Sequence, residues 1–175
     1  LMHVSSGDIF RGLSADSPGG KLYYKYAHKG LLVPDVDTIT IWKSHMDELI
    51  EQKRYFPEKQ WLLLDGIPRT KDQAEEISKY IDVEHVILLH TDDTNDLINR
   101  LKKRSSKEGR SDDSCEDVLN QRMEVYKKQT KDVLDFYPKN IIHSFDPLQA
   151  PLEVFRDILN ELAAPLSKKS LPLNL

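Results

Sequence analysis

The stretch WLLLDGIPR, residues 61–69, decides how the rest of the chain is interpreted. Its four apolar residues run directly into an acid, a glycine, a proline and an arginine. A short apolar run that ends in turn residues predicts a buried parallel strand followed by a loop. In open α/β sheets, ligands bind at this carboxyl end of the strands. The stretch therefore predicts a fold class and the edge of the sheet at which a site should lie.

Each polar or turn residue of this stretch has a property that suits a phosphate ligand. Asp65 would stand at the tip of the strand, where a carboxylate can hold Mg²⁺ or its waters. Gly66 lets the backbone approach a ligand closely, Pro68 stiffens the loop, and Arg69 offers a planar fork for phosphate. The same residues also fit an ordinary strand end with a surface salt bridge. The stretch taken alone leaves both interpretations open.

The composition excludes several classes of protein. The 175 residues are 39% hydrophobic and 31% charged, which indicates one globular domain rather than a disordered chain. The formal net charge of −4 gives no reason to expect binding to nucleic acid or to an anionic membrane. No apolar run approaches the ~20 residues of a membrane span. The single cysteine, Cys115, excludes an internal disulfide and a cysteine-rich metal site, and it fits a reducing, cytoplasmic location.

Strand and helix patterns alternate along the chain. Short apolar runs predict strands at residues 1–4, 61–64, 86–89 and 141–145. Apolar residues at helical spacing lie between them, including a long helix from about Glu116 to Phe136 that Pro138 ends. A last helix begins near Pro151. Its apolar stripe, which we expect to be buried, consists of Leu152, Phe155, Ile158, Leu159 and Leu162. The alternation predicts a parallel α/β sheet.

Three polar segments predict helix starts. The hydroxyls and the acid of residues 5–8 suit a helix N-cap or a loop beside phosphate. Asp35 is predicted to cap a long helix whose apolar stripe is core. Residues 70–73 match the capping-box pattern, so Gln73 is interpreted as a cap first and as a ligand contact second.

Arginines at helix starts and in loops indicate phosphate chemistry. They are Arg11, Arg69, Arg100, Arg104, Arg110 and Arg122. Each one alone is more simply a solvated surface charge. Phosphoryl transfer, however, needs cations around the moving group and an acid for Mg²⁺. Asp65 and the Asp112–Asp113 pair supply acids. The six histidines are scattered along the sequence and are assigned no chemistry.

Taken together, these segments resemble the adenylate kinases, which are nucleoside monophosphate kinases. The matching segments follow the family order at nearly the family spacing: residues 5–11, 30–34, 65–70 with Gln73, 100–104, 110–113 and Arg122. The resemblance implies a P-loop NTPase-like parallel sheet flanked by helices. It also implies a kinase core over residues 1–164, with a helical AMP-binding arm at about 6–56 and a short lid at about 105–113. Residues 165–175 would form a tail.

The resemblance further implies a role for each matching residue. AMP would be bound by Ser6, Arg11, Leu31, Leu32, Val33, Gly66, Ile67, Pro68, Arg69, Gln73, Arg110 and Arg122. ATP would be bound by Arg100, Arg104, Gln149 and Ala150. The catalytic set would be Arg69, Arg104, Arg110, Arg122 and Asp65. Asp65 would orient Mg²⁺ through water, and Asp112 with Asp113 would brace the lid arginines.

The activity implied by this resemblance is reversible phosphoryl transfer between ATP and AMP to give two ADP. The enzyme would be a monomer that uses Mg²⁺ with ATP. The sequence departs from the family in three places, the third of which is the missing ATP loop described below. Eight residues separate Asp113 from Arg122, one more than usual, and one residue turns a helix by ~100°. Ile67 stands where the family often has an aromatic residue.

Two alternatives to this activity stay open. A UMP/CMP kinase has the same fold, but those enzymes usually carry Ala in place of Ser6 and Asn in place of Thr70. The other alternative is a non-catalytic module that binds AMP and lacks the ATP loop.

The G-x-x-x-x-G-K loop that wraps the ATP phosphates in this family is not found in residues 1–175. The Gly20–Lys21 pair fails as that loop because Ala15 stands where the first glycine is needed. In the family the loop follows a strand that lies between the 61–64 and 86–89 strands. We therefore expect a chain that lacks about 25 residues, with two separate strand pairs, marginal stability and no kinase activity as it stands.

Overall fold

The structure is a computed structural model that describes residues 1–27, 29–91, 98–103 and 116–167. Its elements are β1 (Met2–Ser5), α1 (Ser6–Gly12), α2 (Pro18–Ala27), α3 (Asp35–Glu51), β2 (Leu62–Asp65), α4 (Lys71–Ile77), β3 (Val86–Leu89), α5 (Glu116–Phe136), a 3₁₀ turn (Lys139–Ile141), β4 (Ile142–Phe145) and α6 (Pro151–Ser167). Residues 98–103 are helical as well. Strands and helices alternate along the chain, as the sequence predicts.

The described strands form two parallel pairs. β1 pairs with β2 so that Ser5 lies opposite Asp65. β3 pairs with β4 so that Leu89 lies opposite Phe145. Within the described ranges, no ladder of backbone hydrogen bonds joins one pair to the other. The parallel α/β class is confirmed, and the strands pair as two separate units, as expected from the sequence.

A cluster of buried hydrophobic residues joins the first strand pair to α3 and α4. It contains Val4, Ile39, Trp42, Met46, Leu49, Tyr55, Ile67 and Ile77. The α3 members recur every three to four residues, so one face of that helix is buried against the strands. This packing holds the loop after β2 against the start of α3. It therefore brings together segments that are 30 or more residues apart in sequence.

The predicted capping role of Asp35 is wrong. Pro34 occupies the cap position of α3, no side chain caps the helix there, and Asp35 is its first residue. The Asp35 carboxylate instead accepts a hydrogen bond of 2.7 Å from Gln73 Nε2 on α4. An acid in the first turn still interacts favourably with the helix dipole.

The prediction that the α6 stripe is buried is wrong for most of its residues. Leu152, Phe155 and Leu159 have exposed fractions of 79%, 57% and 44%, whereas Leu162 is 4% exposed. Helical spacing identifies an apolar face but does not tell what lies opposite it. Among the described elements, α6 makes its main contact with β4, which covers only part of that face.

No helix in the described part of the chain combines the length and the apolar character that a membrane crossing requires.

Candidate functional site

A cavity of about 770 Å³ lies at the carboxyl ends of the strands. Its walls come from the start of α1, the connection between α2 and α3, the loop after β2, strand β3 and one face of α5. We call it the central cavity. Its position agrees with the general rule that parallel sheets bind ligands at the carboxyl ends of their strands.

Most of the predicted site residues line the central cavity. They are Ser6, Arg11, Leu31, Leu32, Val33, Asp65, Gly66, Pro68, Arg69, Gln73, Arg100 and Arg122. Ile67 is buried in the core cluster instead, with an exposed fraction of 4%. Gln149 and Ala150 lie at the start of α6 and do not line the cavity. Four predicted residues lie outside the described ranges: Arg104, Arg110, Asp112 and Asp113.

Gly66 organises the loop after β2. Its φ of +72° is in the left-handed region that favours glycine. A Cβ at this position would lie 2.7 Å from Ser6 Oγ and 3.0 Å from Arg69 Nη2. The Gly66 carbonyl accepts hydrogen bonds from Ser6 Oγ at 2.7 Å and from Arg69 Nε at 2.8 Å. One backbone group thus fixes a buried hydroxyl and a guanidinium beside the cavity.

Gln73 ties this loop to α3. Its Oε1 accepts a hydrogen bond of 2.7 Å from the Arg69 N–H, and its Nε2 donates to Asp35. Its own N–H donates to the Thr70 side chain at 3.1 Å, so Thr70 is the N-cap of α4. In a regular capping box the glutamine would bind the Thr70 N–H; here it binds the N–H one residue earlier. The side chain is 2% exposed, and the contacts described here are all with the protein.

Helix α1 carries the second predicted phosphate ligand. Ser5 caps the helix by accepting a hydrogen bond from the Asp8 N–H, and Asp8 forms an ion pair with Arg11 Nη2 one turn later. This pair is i,i+3 on one helix face, so the carboxylate restricts the guanidinium that lines the cavity.

Two aromatic residues of the cavity wall were not predicted from the sequence. The rings of Phe10 and Tyr23 are stacked, with centroids 5.5 Å apart and an angle of 13° between the planes. Both residues line the central cavity. Phe10 directly precedes Arg11, and Tyr23 lies on α2, so their contact joins two consecutive helices. In the sequence, each of two short helices carries one of these aromatic residues. Aromatic residues that only pack in a core give the same pattern, so the sequence does not distinguish the two cases.

Gly30 positions α5 against the α2–α3 connection. It has a φ of +66°, and a Cβ there would lie 2.7 Å from the Val118 carbonyl oxygen and 3.2 Å from Arg122 Cγ. The close approach brings the backbone of residues 31–33 and Arg122 to the same cavity. The extra residue between Asp113 and Arg122 therefore does not turn Arg122 away from the site.

Asp65 is the last residue of β2, as predicted, and its side chain is 67% exposed. His3 Nε2 lies 3.9 Å from the Asp65 carboxylate. Both side chains are well exposed, so an ion pair between them contributes little to stability. Across the described ranges, no three His, Cys, Asp or Glu side chains are grouped to hold a metal ion. A single exposed carboxylate fits contact with a hydrated Mg²⁺ that a nucleotide brings, rather than a complete protein site.

Gln149 and Ala150 stabilise the start of α6. The Ala150 N–H donates to Glu153 Oε2 at 3.0 Å, and Gln149 Nε2 donates to Asp157 Oδ2 at 3.2 Å. The pKa of the Asp157 carboxyl is lowered, mainly by a hydrogen bond from Arg156 and further by the one from Gln149, while burial opposes the shift. Their predicted contact with ATP stays a prediction.

The central cavity has the chemistry of a nucleotide phosphate site. Arg11, Arg69, Arg100 and Arg122 line it, which gives several cations to a polyanionic ligand. Its aromatic and aliphatic wall suits a base or a sugar. Ser6 and Gln73 of the wall are buried, whereas Asp65 and Arg69 are exposed to solvent.

Comparison with known proteins agrees with this chemistry. A family model described as "Adenylate kinase" matches residues 1–142. The chain is 30% identical to the adenylate kinase of Flavobacterium psychrophilum over 93% of the chain and 86% of that protein. It is 34% identical to the adenylate kinase of a Thermoanaerobacter species over 93% and 86%. It is 31% identical to the UMP-CMP kinase of Rattus norvegicus over 90% and 81%.

The family model and the relatives agree on the family, since the matches span most of the chain and include the segments that line the central cavity. The chain belongs to the adenylate kinase family, whose members are phosphotransferases that exchange a phosphoryl group between ATP and AMP.

Proposed function

We propose that the central cavity binds AMP as the phosphoryl acceptor, with the AMP phosphate held by Arg11 and Arg69. The observation that carries this proposal is the convergence of residues from Ser6 to Arg122 on one cavity. Arg11 is held by Asp8, and Arg69 is held by the Gly66 carbonyl, so both cations are oriented before the ligand arrives. Such preorganisation lowers the entropy that is lost on binding and the reorganisation energy that the reaction requires.

Catalysis in this proposal consists of positioning and charge stabilisation. The nucleophile is an AMP phosphate oxygen that is already ionised, so no general base is required. Arg122, from α5, would stabilise the charge that spreads over the transferring phosphoryl group. An arginine in this role can contribute roughly 10³–10⁵ in rate. The predicted lid arginines Arg104 and Arg110 would complete the set.

We assign Asp65 to the orientation of Mg²⁺ through its coordinated water. Mg²⁺ keeps several waters and prefers carboxylate and phosphate oxygens, which an exposed carboxylate at the end of β2 satisfies. The ion would neutralise charge on the ATP phosphates. A monomeric state and a cytoplasmic location complete the proposal.

The choice of AMP over pyrimidine monophosphates rests on Ser6 and Thr70. The UMP-CMP kinase relative is about as similar to the chain as the adenylate kinases, so sequence identity alone does not decide. Ser6 is 5% exposed, and its hydroxyl holds the Gly66 carbonyl that also orients Arg69. The UMP/CMP kinases usually carry Ala in place of Ser6, which would remove that contact, and Asn in place of Thr70. Because this chain has Ser6 and Thr70, we favour AMP as the acceptor.

Binding and turnover of three monophosphates test the proposal. Calorimetry with AMP, CMP and UMP on the 175-residue chain should show AMP binding at least about tenfold tighter, which corresponds to roughly 1.4 kcal/mol. A coupled ADP-formation assay should give the same order of preference in any form of the enzyme that has kinase activity. A preference for CMP or UMP would reject AMP as the acceptor.

A further inference from the structure

Two histidines and a glutamate form a chain of contacts away from the central cavity. His85 Nδ1 lies 3.1 Å from His143 Nε2, and His143 Nδ1 lies 3.2 Å from Glu161 Oε1. The side chain of His143 is 16% exposed, and that of Glu161 is 56% exposed. None of the three lines the central cavity. We call this group the histidine pair, with Glu161 as its neighbour.

The fold explains why these residues meet. His143 lies on β4 opposite Ile87 of β3. His85 precedes Ile87 by two residues, and side chains two apart along an extended strand lie on the same face. The two imidazoles are therefore diagonal neighbours on one face of the strand pair, with ring centroids 5.2 Å apart. Glu161 reaches the same face from α6.

Glu161 determines which nitrogen of His143 carries a proton. A carboxylate accepts hydrogen bonds, so His143 Nδ1 is the donor, and in the neutral ring Nε2 then carries a lone pair. This lone pair faces His85 Nδ1 at 3.1 Å. The gap between the two nitrogens is closed either by a proton of His85 or by a cation that both imidazoles bind.

We propose that His85 and His143 bind one transition-metal ion of the Zn²⁺, Ni²⁺ and Cu²⁺ class. Imidazole nitrogens bind Zn²⁺ at about 2.0–2.1 Å, so nitrogens 3.1 Å apart correspond to an angle of about 100° at the ion. That angle lies between those of octahedral and tetrahedral coordination. Glu161 would accept a hydrogen bond from the other nitrogen of His143, Nδ1. Most metal-bound histidines have such a carboxylate, carbonyl or water partner.

The site has two protein ligands, because Glu161 contacts the other nitrogen of His143 and no three His, Cys, Asp or Glu side chains of the described ranges are grouped to hold a metal ion. Water would complete the coordination. The histidine pair lies at the amino ends of β3 and β4, whereas the central cavity lies at the carboxyl ends of the strands. Mg²⁺ prefers oxygen ligands, so the nucleotide-bound ion would not compete for the imidazoles.

Zinc titration with a residue-specific readout tests the proposal. All variants carry Cys115→Ser, since a thiolate would also bind Zn²⁺. We expect the ring ¹⁵N resonances of His85 and His143 to move together and to saturate at one Zn²⁺ per chain. Mg²⁺ should leave them unchanged. Movement of only one of the two rings, or saturation without movement of either, would overturn the proposal.

Matched variants separate the histidine pair from other metal-binding groups. His85→Asn should weaken Zn²⁺ binding by at least about tenfold, because one of two ligands is lost. His45→Asn, the same change on α3, should leave the affinity unchanged. Glu161→Gln should weaken binding by about tenfold through loss of the partner of His143. If His85→Asn is poorly folded, His85→Gln replaces it. Equal zinc affinities for all variants would reject the metal site and would show that His85 and His143 only form a hydrogen bond with each other.

Discussion

At the scale of single residues, Gly66 is a strongly constrained position of the site. It combines a positive φ with close approach to Ser6 and Arg69. We expect Gly66→Ala to lower the free energy of unfolding by about 1–3 kcal/mol and to weaken AMP binding, because a side chain would be both strained and crowded. Urea unfolding and calorimetry measure the two effects. Gly12→Ala is the control, since nothing lies within 4 Å of its added Cβ. Equal stability of the two variants would contradict the role given to Gly66.

Arg69 is the residue on which AMP binding should depend most directly. We expect Arg69→Ala to weaken AMP binding by about 10–100-fold, since charged hydrogen bonds to phosphate are lost. The fold should be unaffected because the side chain is exposed. Arg54→Ala, an exposed arginine after α3, provides the comparison and should bind AMP normally. Near-normal AMP affinity and kinetics for Arg69→Ala would remove Arg69 from the site.

Gln73 tests whether a residue of the cavity wall acts through stability or through the ligand. Gln73→Ala would leave the Arg69 N–H and the Asp35 carboxylate without their described partner. We expect a loss of about 1–3 kcal/mol in the free energy of unfolding. Gln52→Ala breaks a hydrogen bond at an exposed site and should cost much less. Loss of AMP affinity at unchanged stability would show that Gln73 is mainly a ligand contact.

At the scale of elements, the contact of Gly30 with α5 decides where Arg122 lies. Gly30→Ala would push against the Val118 carbonyl and the stem of Arg122. We expect the losses of AMP affinity in Gly30→Ala and Arg122→Ala to be non-additive, because both act on the position of one guanidinium. A double-mutant cycle measures this coupling. The cycle of Gly30→Ala with Arg54→Ala should be additive, and equal coupling in the two cycles would refute the assignment.

At the scale of the whole molecule, the sequence predicted what depends on local order along the chain. The alternation of strands and helices, the strand end at Asp65 and the cap at Thr70 are all encoded in neighbouring residues. The resemblance to the adenylate kinases predicted most of the cavity wall, and the position of the cavity follows from the rule that parallel sheets bind ligands at the carboxyl ends of their strands.

The features that sequence reasoning missed depend on contacts between distant segments. The predicted cap at Asp35 is wrong because the partner of its carboxylate, Gln73, is 38 residues away and local sequence does not reveal it. The burial of the α6 stripe was wrong because an apolar face does not specify its neighbour. The histidines received no chemistry because His85 and His143 are 58 residues apart and meet only through strand pairing.

The separation of the strands into two pairs implies two levels of local stability within one chain. The first pair packs on buried residues such as Trp42 and Leu49, which are 3% and 2% exposed. No residue of β3 or β4 is fully buried. Amide hydrogens of β3, β4 and α6 should therefore exchange with solvent at least about tenfold faster than those of β1, β2 and α3. Exchange followed by mass spectrometry measures this difference, and uniform rates would mean that the chain opens as one cooperative unit.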